Sequence, residues 1–275
     1  MHSRWSSSNM KMVRTCAPLL ALVSWLAMIG SAAAQANADV LDPDLTAPRP
    51  PTTGPVNLLP QAVSARVTDD RATVTTWAGY DGAKRSPLIT AVAEARIIRR
   101  LVFVAGAGYT ADMPGAPTFR PQLGLRAQLL DQAKHGIDAG ASVLYRQDLF
   151  SNEGGFFEGI VALERRQGRV RVMSNLLYGQ DGEGDDRDGE VRLAAMYEAG
   201  HGLLVGFDSR YRHSLWSSDP NRFTRDRPEY ELMAAPTASF SYGSWAVMAE
   251  AGVSSVRTTV ISNGVIALGG LASTF

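Results

Sequence analysis

Six carboxylates crowd one short stretch of the chain, Asp-Gly-Glu-Gly-Asp-Asp-Arg-Asp-Gly-Glu, which runs from Asp181 to Glu190. Clustered carboxylate oxygens are the ligands that Ca²⁺ prefers. The EF-hand spacing fails, however. The sixth position counted from Asp181 is Asp186, where glycine is required, and the twelfth is Arg192 rather than glutamate. We interpret the stretch as a solvated loop, with incidental binding of divalent cations as the alternative.

A histidine and a serine are adjacent at His213 and Ser214. Serine nucleophiles need a histidine within hydrogen-bond reach of the hydroxyl group. On a β-strand, two close residues share a face only when one residue separates them. The position two residues after His213 is Leu215, so His213 and Ser214 would point to opposite faces. This spacing argues against esterase chemistry.

Motifs for metals and cofactors are missing from the sequence. The other histidines are scattered at His2, His135 and His201, and the one cysteine is Cys16, so no zinc site is expected. No phosphate-cradling loop and no dinucleotide fingerprint occurs. The 27 basic and 27 acidic side chains balance, which gives no reason to expect a nucleic-acid partner. The sequence predicts no cofactor, no metal and no catalytic residue.

The first 36 residues have the organisation of a cleavable signal peptide. Basic residues precede a mostly apolar run at 17–30, and small residues at 31–36 offer A-x-A cleavage sites. The apolar run is shorter than the roughly 20 residues of a membrane helix. We therefore expect export with cleavage, and Cys16 would leave with this peptide.

Residues 37–70 form a separate, proline-rich region with little apolar periodicity. Prolines break regular secondary structure, and this composition is typical of an extended or disordered linker. Our preferred interpretation is a linker. The alternative is that this region folds into the domain that follows as a plug.

From residue 71 onward, period-2 stretches alternate with turn-rich breaks, which predicts an all-β domain over residues 71–275. The pattern indicates about twelve antiparallel strands in an up-and-down arrangement, with ten as the alternative. The expected strands are 71–81, 88–98, 100–111, 118–133, 136–148, 155–165, 168–179, 189–199, 201–213, 229–241, 244–256 and 264–275.

Each expected strand has one apolar and one polar face. In strand 118–133, Phe119, Leu123 and Leu125 share one face, whereas Arg120 and Arg126 share the other. A soluble β-sandwich would bury the apolar face, and a membrane barrel would turn it toward lipid. Alternation alone does not choose between these two arrangements.

Loop lengths and aromatic positions favour the barrel. Short breaks alternate strictly with longer ones, as in barrels with short turns on one side of a membrane and long loops on the other. Tyrosines recur at the strand ends next to long loops, and other aromatic residues lie at the opposite ends, as expected for two aromatic belts at the membrane interfaces. The predicted belt residues are Tyr80, Tyr109, Tyr145, Tyr178, Tyr211, Trp245 and Phe275.

The last strand, from Val265 to Phe275, ends in an aromatic residue and carries apolar residues at alternate positions, with Gly269 and Ser273 as small departures. It resembles the C-terminal insertion signal of bacterial outer-membrane β-barrels, and residues 71–275 resemble that class in architecture. The resemblance implies a transmembrane β-barrel in the outer membrane, contacts with lipid and lipopolysaccharide, and recognition by the barrel-assembly machinery. An even number of strands would place both termini, and the linker, on the periplasmic side.

Strand parity predicts which charged side chains face the lumen of such a barrel. Their signs are mixed and nearly balanced. The predicted lumen-facing residues are Glu94, Arg96, Arg120, Arg126, Asp138, Arg146, Glu158, Glu164, Arg171, Arg192, Glu198, Asp208, Arg210, Arg212, Glu229, Glu231 and Glu250.

Three functions are compatible with this pattern. The first is a narrow, porin-like channel for small solutes, whose charged rings set selectivity. The second is a structural or surface-interaction barrel, whose lumen is filled by paired charges. The third is a lipid hydrolase, since twelve strands and the stretch 211–222 faintly resemble the outer-membrane phospholipase. The adjacent His213 and Ser214 depart from the His-x-Ser spacing that such chemistry needs.

Overall fold

Twelve antiparallel strands form a closed barrel in which each strand pairs with its sequence neighbours and β1 pairs with β12. The computed structural model describes residues 55–111, 117–147, 155–184, 186–217 and 228–275, which belong to one unit. The strands are β1 (Ala72–Asp81), β2 (Ser86–Ile98), β3 (Leu101–Ala111), β4 (Pro117–Leu130), β5 (Asp138–Arg146), β6 (Phe156–Gln167), β7 (Val170–Asp181), β8 (Asp186–Gly200), β9 (Leu203–Ser217), β10 (Tyr230–Tyr242), β11 (Trp245–Arg257) and β12 (Ile261–Thr274).

The prediction of about twelve strands in an up-and-down barrel is confirmed. The signal-peptide expectation for residues 1–36 lies outside the described residues.

The seam that closes the barrel joins the first and last strands. Thr73 pairs with Thr274, and the register continues to Asp81 opposite Ile266. At the chain end, the backbone N–H groups of Arg71 and Ala72 both donate to the carbonyl oxygen of Phe275. We call the end of the barrel where β1 begins and β12 finishes the terminus end, and the other end the loop end.

The turns at the terminus end are short. Arg100 and His201 adopt positive φ angles of 76° and 52° in two of these turns. A short helix, α1 (Gln132–His135), connects β4 to β5; the Asp131 side chain caps its first turn, and Gly136 ends it at a φ of 74°. No helix in the described part of the chain is long and apolar enough to cross a membrane.

The two faces of the wall differ in exposure in the opposite sense to a soluble protein. In β4, the outward Leu123 is 53% exposed, whereas the inward Arg126 is 3% exposed. Apolar side chains cover the outside, and charged side chains turn inward. A closed barrel satisfies the backbone hydrogen bonds of every strand, which is the condition for spanning a lipid bilayer.

One predicted loop is partly strand. Asp186, Asp188 and Glu190 belong to β8 and are buried on its inward face. The expectation of a solvated loop was therefore wrong for these three residues and for Asp181, which ends β7 and is also buried. The β-ladder extends β8 beyond the predicted start because arginines of the inner wall lie close to Asp188 and Glu190.

Candidate functional site in the barrel lumen

Residues 55–70, which we call the lumen segment, lie inside the barrel. Apolar side chains of this segment pack against three patches of the inner wall: Leu58 beside Trp77 and Met248, Leu59 beside Met173 and Met196, and Val67 beside Val102 and Val104. The expectation of an extended linker does not hold for residues 55–70, because apolar surface on the inner wall lets the segment bury its own apolar residues. The rest of the predicted linker, residues 37–54, lies outside the described residues.

Two wall side chains bind the backbone of the lumen segment at residues 61–63. The Asp208 carboxylate accepts hydrogen bonds from the backbone N–H groups of Gln61 (3.1 Å) and Ala62 (3.4 Å). The Asn175 amide accepts from the N–H of Val63 at 2.7 Å and donates to its carbonyl oxygen at 2.8 Å. Asp208 and Asn175 are both fully buried. Buried backbone groups need such partners, and here the wall supplies them through side chains.

A second group of contacts lies nearer the terminus end. Glu164 accepts a hydrogen bond from the Ser64 hydroxyl at 2.6 Å and pairs with Arg171 at 2.8 Å. Because both the segment and an arginine satisfy this carboxylate, its buried charge is compensated.

Asn57 connects the segment to a buried ion pair of the wall. Its side-chain amide donates to Glu94 at 2.9 Å and accepts from Arg126 at 2.9 Å. Glu94 and Arg126 pair with each other at 2.6 Å, and both are almost completely buried. The amide thus completes a three-residue network across the boundary between segment and wall.

Toward the loop end, the lumen holds a network of opposite charges. Glu231 pairs with Lys84 at 3.0 Å and with Arg210, and Glu190 pairs with Arg192. Arg212 pairs with Asp188. Pairing of this kind offsets the desolvation of each charge, so this part of the lumen is polar without carrying a large net charge.

The predicted lumen-facing residues fall into three groups by exposure and position. The buried ones are Glu94, Arg120, Arg126, Asp138, Glu164, Asp208, Glu231 and Glu250. Partly buried are Arg146, Glu158, Arg171, Arg192, Arg210 and Arg212. The remaining three lie at the barrel ends: Arg96 donates to the carbonyl oxygen of Asp69, Glu198 pairs with Arg166, and Glu229 pairs with Arg257 at 2.9 Å.

Several residues of the lumen were not among the predicted ones. Lys84 lies in the turn after β1, where strand parity gives no direction. Asn175 is uncharged, and Trp77 is apolar in character, so a search for charged positions passes over both. Their inward parity in β7 and β1 was the available signal, since each is an odd-numbered residue in a strand whose odd positions face inward.

A cavity of about 250 Å³ remains between the lumen segment and the inner wall, where β1 to β6 and Arg192 of β8 line it. Asn57, Leu59 and Val63 line it on the side of the segment. A smaller cavity of about 90 Å³ lies toward the loop end and shares Arg120, Arg146, Glu158 and Arg192 with the first. The described residues therefore fill the lumen only in part.

The predicted belt residues lie on the outer face near the strand ends. Tyr80, Tyr109, Tyr145, Tyr178 and Tyr211 are exposed toward the loop end, and Trp245 and Phe275 toward the terminus end. Tyr145 also packs against Phe157 of the neighbouring strand, with ring centroids 5.0 Å apart.

His213 and Ser214 occupy successive positions of β9. The His213 ring stacks on the outward Tyr211, with ring centroids 6.2 Å apart. Successive strand residues point to opposite faces, so the Ser214 hydroxyl lies on the other side of the wall. The two side chains do not form a nucleophile and base pair.

Comparison with solved structures identifies barrels of the same fold. The NanC porin aligns with a TM-score of 0.52 at 11% sequence identity, over 74% of this chain and 100% of that chain. The KdgM porin in complex with disordered oligogalacturonate aligns with a TM-score of 0.51 at 7% identity, over 74% of this chain and 99% of that chain. No protein-family model and no curated protein sequence matches the chain. The described chain thus has the fold of the bacterial outer-membrane β-barrels.

Proposed function

We propose that this protein is a narrow outer-membrane channel for small polar solutes, and that its lumen segment closes it at rest. The observation that carries the proposal is the way the segment is held. Single side chains such as Asp208 and Asn175 bind it, whereas a continuous β-ladder joins the strands of the wall. A few hydrogen bonds can break without opening the ladder, so the segment can move while the wall stays intact.

The lumen chemistry supports passage of polar molecules. Charged side chains line the inner face along its length, and paired positive and negative groups can exchange partners with a passing solute. The similarity in fold to the NanC and KdgM porins is consistent with this function. In this proposal the terminus end faces the periplasm, the outer face contacts lipid and lipopolysaccharide, and the last strand is recognised by the barrel-assembly machinery. The proposal includes no catalytic step.

A barrel with a permanently filled lumen is the second candidate. The specific observation in its favour is that three apolar patches of the inner wall are each covered by the lumen segment. Under this alternative the segment would be a structural core that never leaves, and the outer surface or loops would carry the function.

Gly140 of β5 offers a test that separates the two candidates. A Cβ atom at this position would lie 2.6 Å from the carbonyl oxygen of Ala65, which is closer than real contacts allow. We therefore expect Gly140→Val to displace the lumen segment while leaving the charged wall residues in place. Gly159→Val is the matched control, because a Cβ atom there meets only the Tyr178 carbonyl oxygen, at 3.9 Å.

The measurement is single-channel conductance in planar lipid bilayers. For a closed channel we expect small or rare conductance steps in the unmodified protein and in Gly159→Val, and larger or more frequent steps in Gly140→Val. Heat-modifiable migration on a gel verifies that each variant has folded as a barrel. A folded Gly140→Val variant without steps above background would overturn the channel proposal and favour the filled barrel.

A covalent link between the lumen segment and the wall tests the opposite case, in which the segment cannot leave. The Ser64 hydroxyl group donates to the Glu164 carboxylate at 2.6 Å, so Ser64→Cys and Glu164→Cys direct two thiols toward each other. A short bifunctional thiol reagent should then abolish conductance in this double variant. The single variants, treated in the same way, should keep theirs.

A further inference from the structure

The cavity between the lumen segment and β1–β6 has the composition of a small-molecule site. At about 250 Å³ it lies just below the roughly 300–1,000 Å³ of typical ligand pockets, and it has the volume of about eight water molecules. A ligand of that size is much smaller than an oligosaccharide. Trp77, Val92, Val104, Leu144 and Ile160 give the wall of the cavity an apolar part.

The charged side chains that line the cavity differ in whether a partner already holds them. Four arginines line it against two glutamates: Arg120, Arg126, Arg146 and Arg192 against Glu94 and Glu158. Arg126 is held by Glu94 and Asn57, and Arg192 is held by Glu190 and the carbonyl oxygen of Gln61. The formal charge of the lining is nevertheless positive, which favours a ligand that brings acceptors and negative charge.

Two donors stand out among the described residues. The indole Nε1 of Trp77 is buried and has no hydrogen-bond partner there. The Arg146 guanidinium lies over the Phe156 ring, 5.4 Å from its centroid, and no described carboxylate is within ion-pair distance of it. Both side chains line the cavity. A cation without a carboxylate and a buried donor without an acceptor are two groups that a bound carboxylate would satisfy.

We propose that this cavity binds a small organic carboxylate with an apolar body. The carboxylate receives hydrogen bonds from Arg146 and Trp77, and the apolar body packs against Val104, Leu144 and Ile160. Since Leu59 and Val63 of the lumen segment form the opposite side of the cavity, the site exists only while the segment is in place. The proposal rests on the closed lumen and does not depend on conduction.

Isothermal titration calorimetry of the folded barrel in detergent tests this site, with benzoate as the probe. Benzamide has the same ring without the charge, and acetate has the charge without the ring. We expect benzoate to bind at least about tenfold more tightly than either, because charge-assisted hydrogen bonds and apolar burial both contribute. Equal binding of benzoate and benzamide would overturn the proposal, and so would a lack of measurable benzoate binding.

Three variants locate the binding site. Arg146→Gln should weaken benzoate binding at least about tenfold, because it removes the charge opposite the carboxylate. Gly108→Val should abolish binding by filling the cavity, since Gly108 lines it and a Cβ atom there would make only ordinary contacts, the nearest at 3.6 Å. Arg257→Gln is the control, because Arg257 pairs with Glu229 at the exposed rim. Unchanged affinity in folded Arg146→Gln and Gly108→Val would place the ligand elsewhere and overturn the assignment. Conductance is not measured in these titrations, so their failure is distinguishable from failure of the channel proposal.

Discussion

The wall of the barrel and the lumen segment are held by different kinds of hydrogen bond. In the wall, each strand pairs with two neighbours through backbone groups, and the ladder closes on itself at β1 and β12. In the lumen segment, the backbone of Gln61, Ala62 and Val63 binds side chains of Asp208 and Asn175 instead. A substitution in the wall removes one side chain and keeps the ladder. A substitution at an anchor of the segment removes the hydrogen bond itself.

Because of this difference, the stability of the barrel and the closure of its lumen depend on different groups. The free energy of unfolding of the barrel depends on the ladder, on the lipid-facing side chains and on the buried ion pairs. The position of the lumen segment depends on a few named groups. Variants can therefore be chosen that affect one region, the other, or the network where the two meet.

The largest effect is expected at the network where the two regions meet. Arg126→Met leaves the buried Glu94 carboxylate without its arginine. Breaking one partner of a buried pair lowers the free energy of unfolding by about 3–5 kcal/mol, whereas replacing both partners is close to neutral. Urea titration of the barrel in lipid vesicles should show this loss in Arg126→Met and recovery in Glu94→Gln/Arg126→Met. Equal losses in the single and double variants would mean that Asn57 and the lumen segment also depend on the charge of this pair.

A smaller effect is expected when the outer face alone is changed. Leu176 of β7 is exposed on the outer face, near the middle of the strand. An arginine near the midplane of a bilayer lowers the stability of a barrel by about 2–4 kcal/mol, and one near the interface by about 0–1 kcal/mol. Leu176→Arg should therefore destabilise the barrel in vesicles much more than Val170→Arg at the terminus end of β7. Similar losses in the two variants would mean that the middle of β7 does not lie near the midplane of the bilayer.

The anchors of the lumen segment should affect the segment and spare the wall. Asp208→Ala removes the acceptor of two buried N–H groups, at Gln61 and Ala62. Each unsatisfied buried donor costs about 1–3 kcal/mol, and movement of the segment relieves that cost. Hydrogen exchange measured by mass spectrometry should speed up in peptides covering residues 55–70, while peptides from β8 and β9 keep their protection. Asp208→Asn retains a side-chain oxygen, so its exchange rate in residues 55–70 should lie between those of the unmodified protein and Asp208→Ala. Faster exchange across the wall would show that the two regions are not separable.

The same difference explains what could be predicted from the sequence. In the wall, the face of Leu123 and the face of Arg126 follow from local alternation, because neighbouring residues of one strand carry the signal. The number of strands and the inward direction of most charges were therefore accessible. The burial of Asp188 and Glu190 was not predictable in the same way, because glycine and aspartate are typical of turns and the spacing of the sequence does not show their pairing with Arg212 and Arg192.

The lumen segment gives little local signal. Val63 binds Asn175, which lies 112 residues away, and Gln61 binds Asp208, 147 residues away. Its prolines and low periodicity are also typical of a linker. The better clue was on the wall, where Trp77, Met173 and Met248 face inward although a water-filled pore has no need of apolar side chains. An inner face with apolar patches requires something to cover them.

The smallest effect is expected at the rim, where neither region depends on the contact. Arg257 and Glu229 pair at 2.9 Å, and their side chains are 49% and 39% exposed. Exposed pairs of this kind contribute about 0–1 kcal/mol, since water and salt screen both charges. Arg257→Gln should therefore leave the urea midpoint of the barrel nearly unchanged and leave hydrogen exchange in residues 55–70 at its normal rate. Adding salt should have no larger effect on the unmodified protein than on this variant. A marked loss of stability in Arg257→Gln would mean that the rim supports the closing of the loop end. The rim would then be a third region that contributes to stability, beside the wall and the lumen segment.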